Sequence, residues 1–138
     1  VKAERLFALR FPAQPDRLGP VRALVKRAAE SSGCTESLCD QLVIAVNEAC
    51  MNVIQHAYHG PCADEIALEI LNNGTQLIFR LEDHAAPIDL GCVRPRALDD
   101  LRPGGLGVHF IREIMDDCEM GHLEHGRGNY LEMRKNIG

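Results

Sequence analysis

The chain has 138 residues, with 15 Lys and Arg against 20 Asp and Glu, a formal net charge of −5 and 46% apolar residues. That length suits one domain around one core, and the ordinary apolar-to-charged balance weighs against a disordered chain. The acidic surplus offers no general attraction to nucleic acid or anionic lipid, and the longest apolar run, "LVIAV" at 42–46, is too short for a membrane span or a signal peptide. A single cytoplasmic domain over residues 1–138 is expected, with neither nucleic acid nor membrane as a direct partner.

"ERLFALRF" predicts a first strand, closed by Pro12 and Pro15. From about residue 16 to 32, Leu18, Val21, Leu24, Val25 and Ala28 recur at helical spacing, and Gly33 is placed to end that helix. A second helix is expected from about Thr35, a good N-cap type, to Tyr58, before Gly60 and Pro61. Its apolar stripe runs through Leu38, Leu42, Ala45, Val46, Ala49 and Val53. The period then changes from 3.6 to 2: "EIALEIL" and "QLIFRLE" alternate around "NNGT", a hairpin whose Asn and Gly suit positive φ. Residues 84–104 carry three prolines and no sustained period, as a functional loop does. "GGLGVHFIREIMDD" follows as a glycine junction and a helix, and "CEMGHLEHGRGNYLEMRKN" as two alternating segments around a Gly-rich turn. Helices grouped with antiparallel hairpins predict an α+β fold, a two-layer α/β sandwich with a mixed, mostly antiparallel sheet and helices on one face.

The second helix carries unusual polarity. Residues four apart stack on a helix, so Ile44, Glu48, Asn52 and His56 form a line beside the apolar stripe. Such a line is either a solvated edge or a carboxylate and an amide poised as general base and magnesium ligand. Asp83, ending the second hairpin strand, is either turn chemistry or an acceptor for the exocyclic amine of adenine. Gly104, Gly105 and Gly107 open a helix, where free N–H groups favour phosphate. Arg94, Arg96 and Arg102 are solvated loop cations or partners of a terminal phosphate. The P-loop pattern is missing, and the only lysines, Lys2, Lys26 and Lys135, lie outside these elements. His56 with His59, and His122 with His125, lack the further ligands a zinc site requires. Cys34, Cys39, Cys50, Cys62, Cys92 and Cys118 show no C-x-x-C spacing and read as reduced thiols.

In order, "NEACMNVIQHAYHG", "RLEDHAAPID", "RPGGLGVHFIREIMDD" and "GRGNYLEM" resemble the histidine-kinase-like ATPase fold of the GHKL superfamily, the Bergerat-type ATP-binding fold, and within it the small anti-sigma-factor serine kinases. The resemblance spans roughly residues 4–136. It implies ATP and Mg2+ as cofactors, Glu48 as the catalytic base, Asn52 as the magnesium ligand with His56 beside it, and Asp83 as the adenine contact. It further implies that Arg102, Gly104, Gly105, Leu106 and Gly107 hold phosphates and that residues 84–104 form the ATP lid. Two departures stand out: Ala85 where many relatives have glycine, and "GN" at Gly128 and Asn129 where Gly-Thr is common. The implied function is a serine/threonine protein kinase and anti-sigma regulatory factor that phosphorylates a STAS-type anti-anti-sigma protein and sequesters a sigma factor. Homodimerisation is common among such relatives. Two other readings stay open: an ATP-binding partner-switch module with little or no kinase activity, for which Ala85 is the hint, and a detached ATP-binding domain of a histidine kinase.

Overall fold

Period-two alternation and period-3.6 stripes meet in one core. The computed structural model describes residues 3–86, 111–124 and 128–138. In chain order the described elements are β1 (Glu4–Pro12), α1 (Leu18–Ser31), α2 (Glu36–Asn52), β2 (Glu65–Asn72), β3 (Gln76–Asp83), β4 (Asp117–His122) and β5 (Asn129–Asn136). Residues 111–114 are also helical. The strands form one sheet in the order β1-β2-β3-β5-β4. Among the described residues each pairing is antiparallel, in keeping with the mostly antiparallel sheet expected.

The strand alternation decides which face is covered. Ile66, Leu68 and Ile70 of β2, Leu77, Phe79 and Leu81 of β3, and Met133 of β5 are all buried. Against them pack Leu18, Val21, Val25, Ala28 and Ala29 of α1 and Leu42, Ala45, Val46 and Ala49 of α2, in one continuous cluster. Ile111, Ile114 and Met115 join the same cluster. The other face carries charge instead. Arg80 meets Glu82 at 2.9 Å and Glu132 at 3.4 Å, and lies 4.3 Å from the centre of the Tyr130 ring. Partly solvated pairs of this kind contribute little each, so the helix face holds the sheet together. No helix among the described residues is long and apolar enough to cross a membrane.

Two local expectations are corrected. In the β2–β3 turn only Gly74 takes positive φ, at 97°; the asparagines serve through their side chains. Asn73 Oδ1 accepts from the Thr75 and Gln76 N–H groups at 3.0 and 2.7 Å, and Asn72 Oδ1 from Gly74 N–H at 2.7 Å. Those bonds give the turn its shape without left-handed strain at a branched residue. The second helix, expected to run as one α-helix to Tyr58, changes winding at Asn52 and continues over Val53–Ala57 as a π-helical turn.

At its other end α2 starts cleanly. Thr35 has extended backbone, φ −66° and ψ 159°, and its Oγ1 accepts from Leu38 N–H at 3.2 Å. Thr35→Ala removes that cap and should cost about 1 kcal/mol, read as a lower urea midpoint at unchanged slope.

Candidate functional site

The apolar row of β3 ends in a carboxylate. Period-two alternation that buries Leu77, Phe79 and Leu81 puts Asp83 on the same face, where it is 4% exposed. Its Oδ1 accepts from Ala85 N–H and from Asn129 Nδ2, both at 3.0 Å. Asn129 lies directly opposite in the β3–β5 register, and its Nδ2 also reaches the Ala86 carbonyl at 3.2 Å. Burial raises the Asp83 carboxyl above its ordinary 3.8; the Asn129 and Ala85 hydrogen bonds and the nearby His84 oppose that rise without cancelling it. Gly128 makes the close approach possible. Its φ is +145°, and a Cβ there would sit 2.0 Å from the Asp83 carbonyl oxygen, so no other residue fits.

Tyr58 ties this end of the sheet to the end of α2. Its hydroxyl donates to the Glu65 carbonyl at 2.8 Å and accepts from His84 N–H at 2.8 Å. Burial, the largest cause, pushes its pKa up to about 12, so the phenol keeps the proton it donates. The π-helical turn delivers it there. Tyr58 N–H reaches back five residues to the Val53 carbonyl at 3.0 Å, and Gly60 N–H bonds the Ile54 carbonyl at 2.8 Å, with His59 at φ 60° closing the end. π-turns inside helices recur at functional sites because they re-aim side chains.

Upstream, Glu48 and Asn52 lie one turn apart on α2 and are both half-buried. Arg22 Nη1 donates to Asn47 Oδ1 at 2.9 Å, bracing α1 against α2 beside Glu48. The expected four-residue line is therefore shorter than its spacing implies. Ile44 is 47% exposed at one end, and His56 is exposed in the π-wound turn, where i to i+4 stacking no longer holds. The helix bearing Glu48 and Asn52 and the strand bearing Asp83 share one face of the sheet and are joined through Tyr58. Arg94, Arg96, Arg102, Gly104, Gly105, Leu106 and Gly107 lie outside the described residues, as does all but the start of the expected lid.

The donor set fits a purine nucleotide. A buried carboxylate whose hydrogen-bond donors are amides is a strong acceptor for an N–H group, and an asparagine oxygen suits a magnesium ion that retains waters. Sequence reasoning overlooked Tyr58. One of only two tyrosines, placed two residues before a helix-ending glycine, is the signal that could have marked it, since a buried tyrosine seeks a partner for its hydroxyl.

Comparison with known proteins gives the family. The family described as "Histidine kinase-like ATPase domain" matches residues 11–135. The chain belongs to that family. A serine-protein kinase RsbW of Bacillus pumilus (strain SAFR-032) is 30% identical over 125 residues, 83% of this chain and 77% of the relative. Its counterpart in Bacillus subtilis (strain 168) is 31% identical over 124 residues, 81% and 75% of the two chains. Among solved structures, a chain of the SiaB-SiaC complex from Pseudomonas aeruginosa superposes with a TM-score of 0.68 at 12% identity, covering 96% of this chain and 91% of that one. The histidine kinase domain of a blue-light activated kinase from Erythrobacter litoralis EL346 gives 0.55 at 17% identity, covering 91% and 61%. Both likenesses concern the fold.

The raised Asp83 pKa gives a signed prediction. A folded-state value above the unfolded one means that ionisation opposes folding, so the protonated form adds stability that is lost as pH rises through the folded value. Asp83→Asn keeps the acceptor oxygen and removes the charge. At pH 7 its melting temperature should equal or exceed that of the parent, the difference should vanish below the ordinary 3.8, and ATP affinity should fall at least about tenfold with loss of a charged hydrogen bond. Melting curves across pH and calorimetry check both parts.

Proposed function

We propose that the chain is an ATP-dependent serine/threonine protein kinase and anti-sigma factor that phosphorylates a STAS-type anti-anti-sigma protein and sequesters a sigma factor. The observation that carries this reading is the Asp83 carboxylate, buried and held through one oxygen by Asn129 and Ala85. The likeness to proteins named serine-protein kinase RsbW supports the choice of a protein hydroxyl as acceptor.

In this reading Asp83 accepts the exocyclic amine of adenine, and Asn129 fixes the carboxylate's orientation. Asn52 holds magnesium, with His56 at the rim. Arg102 and the junction of Gly104, Gly105, Leu106 and Gly107 hold the phosphates. Glu48 accepts the proton of the attacking serine or threonine hydroxyl. Bound ATP supplies the phosphoryl group. Transfer of this kind depends on positioning and charge neutralisation more than on covalent help from the protein, and the half-buried Glu48 needs only to be within reach of the hydroxyl.

The second reading, a nucleotide-binding partner switch without useful kinase activity, rested on Ala85. The ground for it is the added methyl where many relatives have glycine. Among the described residues His59 is the only non-glycine with positive φ, so Ala85 occupies backbone that any residue adopts, and its N–H supports Asp83.

Incubating the protein with ATP, magnesium and candidate STAS proteins should add one phosphoryl mass to a substrate serine or threonine. Glu48→Ala should retain nucleotide affinity within about threefold while transfer drops roughly 10²- to 10⁴-fold, the range of a lost general base. Unphosphorylated substrate alongside normal ATP binding favours the switch reading, and full transfer by the variant removes Glu48 from the chemistry.

A further inference from the structure

The turn joining α1 to α2 lies away from the nucleotide site and holds two thiols in a defined arrangement. Gly33, at φ +86°, ends α1, and Cys34 N–H bonds the Ala29 carbonyl at 3.1 Å, pinning Cys34 against the end of that helix. Thr35 is the N-cap of α2 and Cys39 N–H bonds its carbonyl at 2.9 Å. Cys34 thus precedes the cap and Cys39 is the fourth helical residue. These are the two positions whose side chains close on each other in a hydrophobic staple. Here both members are cysteine. The Cys39 thiol donates to the Cys34 carbonyl across 3.8 Å, and both residues line one cavity of about 220 Å3 with Lys26, Glu30 and Glu36. Those three are exposed, Cys34 is half-buried and Cys39 is buried, so a small oxidant entering the cavity meets Cys34 first with Cys39 behind it.

We propose that Cys34 and Cys39 form a thiol oxidation site, closed by peroxide to an intrachain disulfide that locks the first turn of α2 onto the end of α1. The Cys34 thiolate attacks one peroxide oxygen, the O–O bond breaks, and hydroxide leaves as water, giving a sulfenic acid at Cys34. Cys39 sulfur then attacks Cys34 sulfur; the S–S bond forms, the S–O bond breaks, and the Cys39 proton leaves with the hydroxide as a second water. Two thiols lose two protons and two electrons, and one peroxide becomes two waters.

Two of the other three described cysteines are differently placed. Cys50 is wholly buried, and burial pushes its pKa up to about 12, whereas Cys118 is exposed on β4. Burial also raises both staple thiols above their ordinary 9.0; around Cys39, Glu30 and Asp40 add to the rise and Lys26 opposes it. Oxidation is therefore slow at neutral pH and quickens as pH rises. Its structural effect falls on the helix that carries Glu48 and Asn52, but the proposal does not depend on the nucleotide reading.

The test uses the reduced full chain treated with hydrogen peroxide, alkylated, and cut after glutamate, which separates the two cysteines at Glu36. The expected product is residues 31–36 joined to residues 37–48, lighter by two hydrogens and parted by reductant. In Cys34→Ser, at a half-buried position, that product should be absent while the circular dichroism spectrum is unchanged. Amide exchange over residues 36–40 should slow severalfold in the oxidised protein. The proposal is overturned if both peptides emerge alkylated while Cys118 is oxidised, if Cys34 advances to sulfinic acid without bridging, or if exchange in that turn is the same in both forms.

Discussion

The site depends on one buried carboxylate at the end of an apolar row. Taking an ionised carboxylate out of water costs several kcal/mol, and a hydrogen bond to a charged group returns only about 1.5–3 kcal/mol. Asp83 receives such bonds from Asn129 and Ala85, yet its pKa is still raised, so desolvation wins. A carboxylate in that position is one whose balance improves when a further hydrogen-bond donor arrives. Gly128 belongs to the same arrangement, because only a residue without Cβ lets β5 bring Asn129 to the carboxylate.

The second element is the join between layers. α2 packs its apolar stripe on the sheet, but packing alone leaves the rotation of its last turn loosely set. The π-helical turn over Val53–Ala57 and the Tyr58 hydroxyl, bonded to both Glu65 and His84, set that rotation with directional contacts. Helix and strand are coupled through one side chain. This coupling relates the position of the helix bearing Glu48 and Asn52 to that of Asp83.

What was legible in the sequence is what repeats. Alternation around "NNGT" placed β2 and β3 and fixed the face that Asp83 occupies, and Thr35 and Gly33 marked helix ends through local chemistry. The four ordered motifs singled out Glu48, Asn52 and Asp83 as candidates and led to the family that the comparison shows. Less legible were features set by tertiary contacts. Nothing in "VIQHA" announces five-residue winding, because the change follows from Tyr58 being drawn to β2 and β3. The same winding takes His56 off the i, i+4 line. Ala85 stands out in the sequence as an added methyl where many relatives have glycine; its backbone is ordinary, with no positive φ.

The central claim is that Asp83 reads an exocyclic amine, which adenine carries and guanine lacks at the same ring position. Isothermal titration of the protein with ATP and with GTP, each with magnesium, tests it most directly. The account predicts saturable binding of ATP and affinity for GTP weaker by at least about tenfold, the cost of an unpaired buried acceptor. Equal affinity for the two nucleotides, or no heat with either, would contradict it.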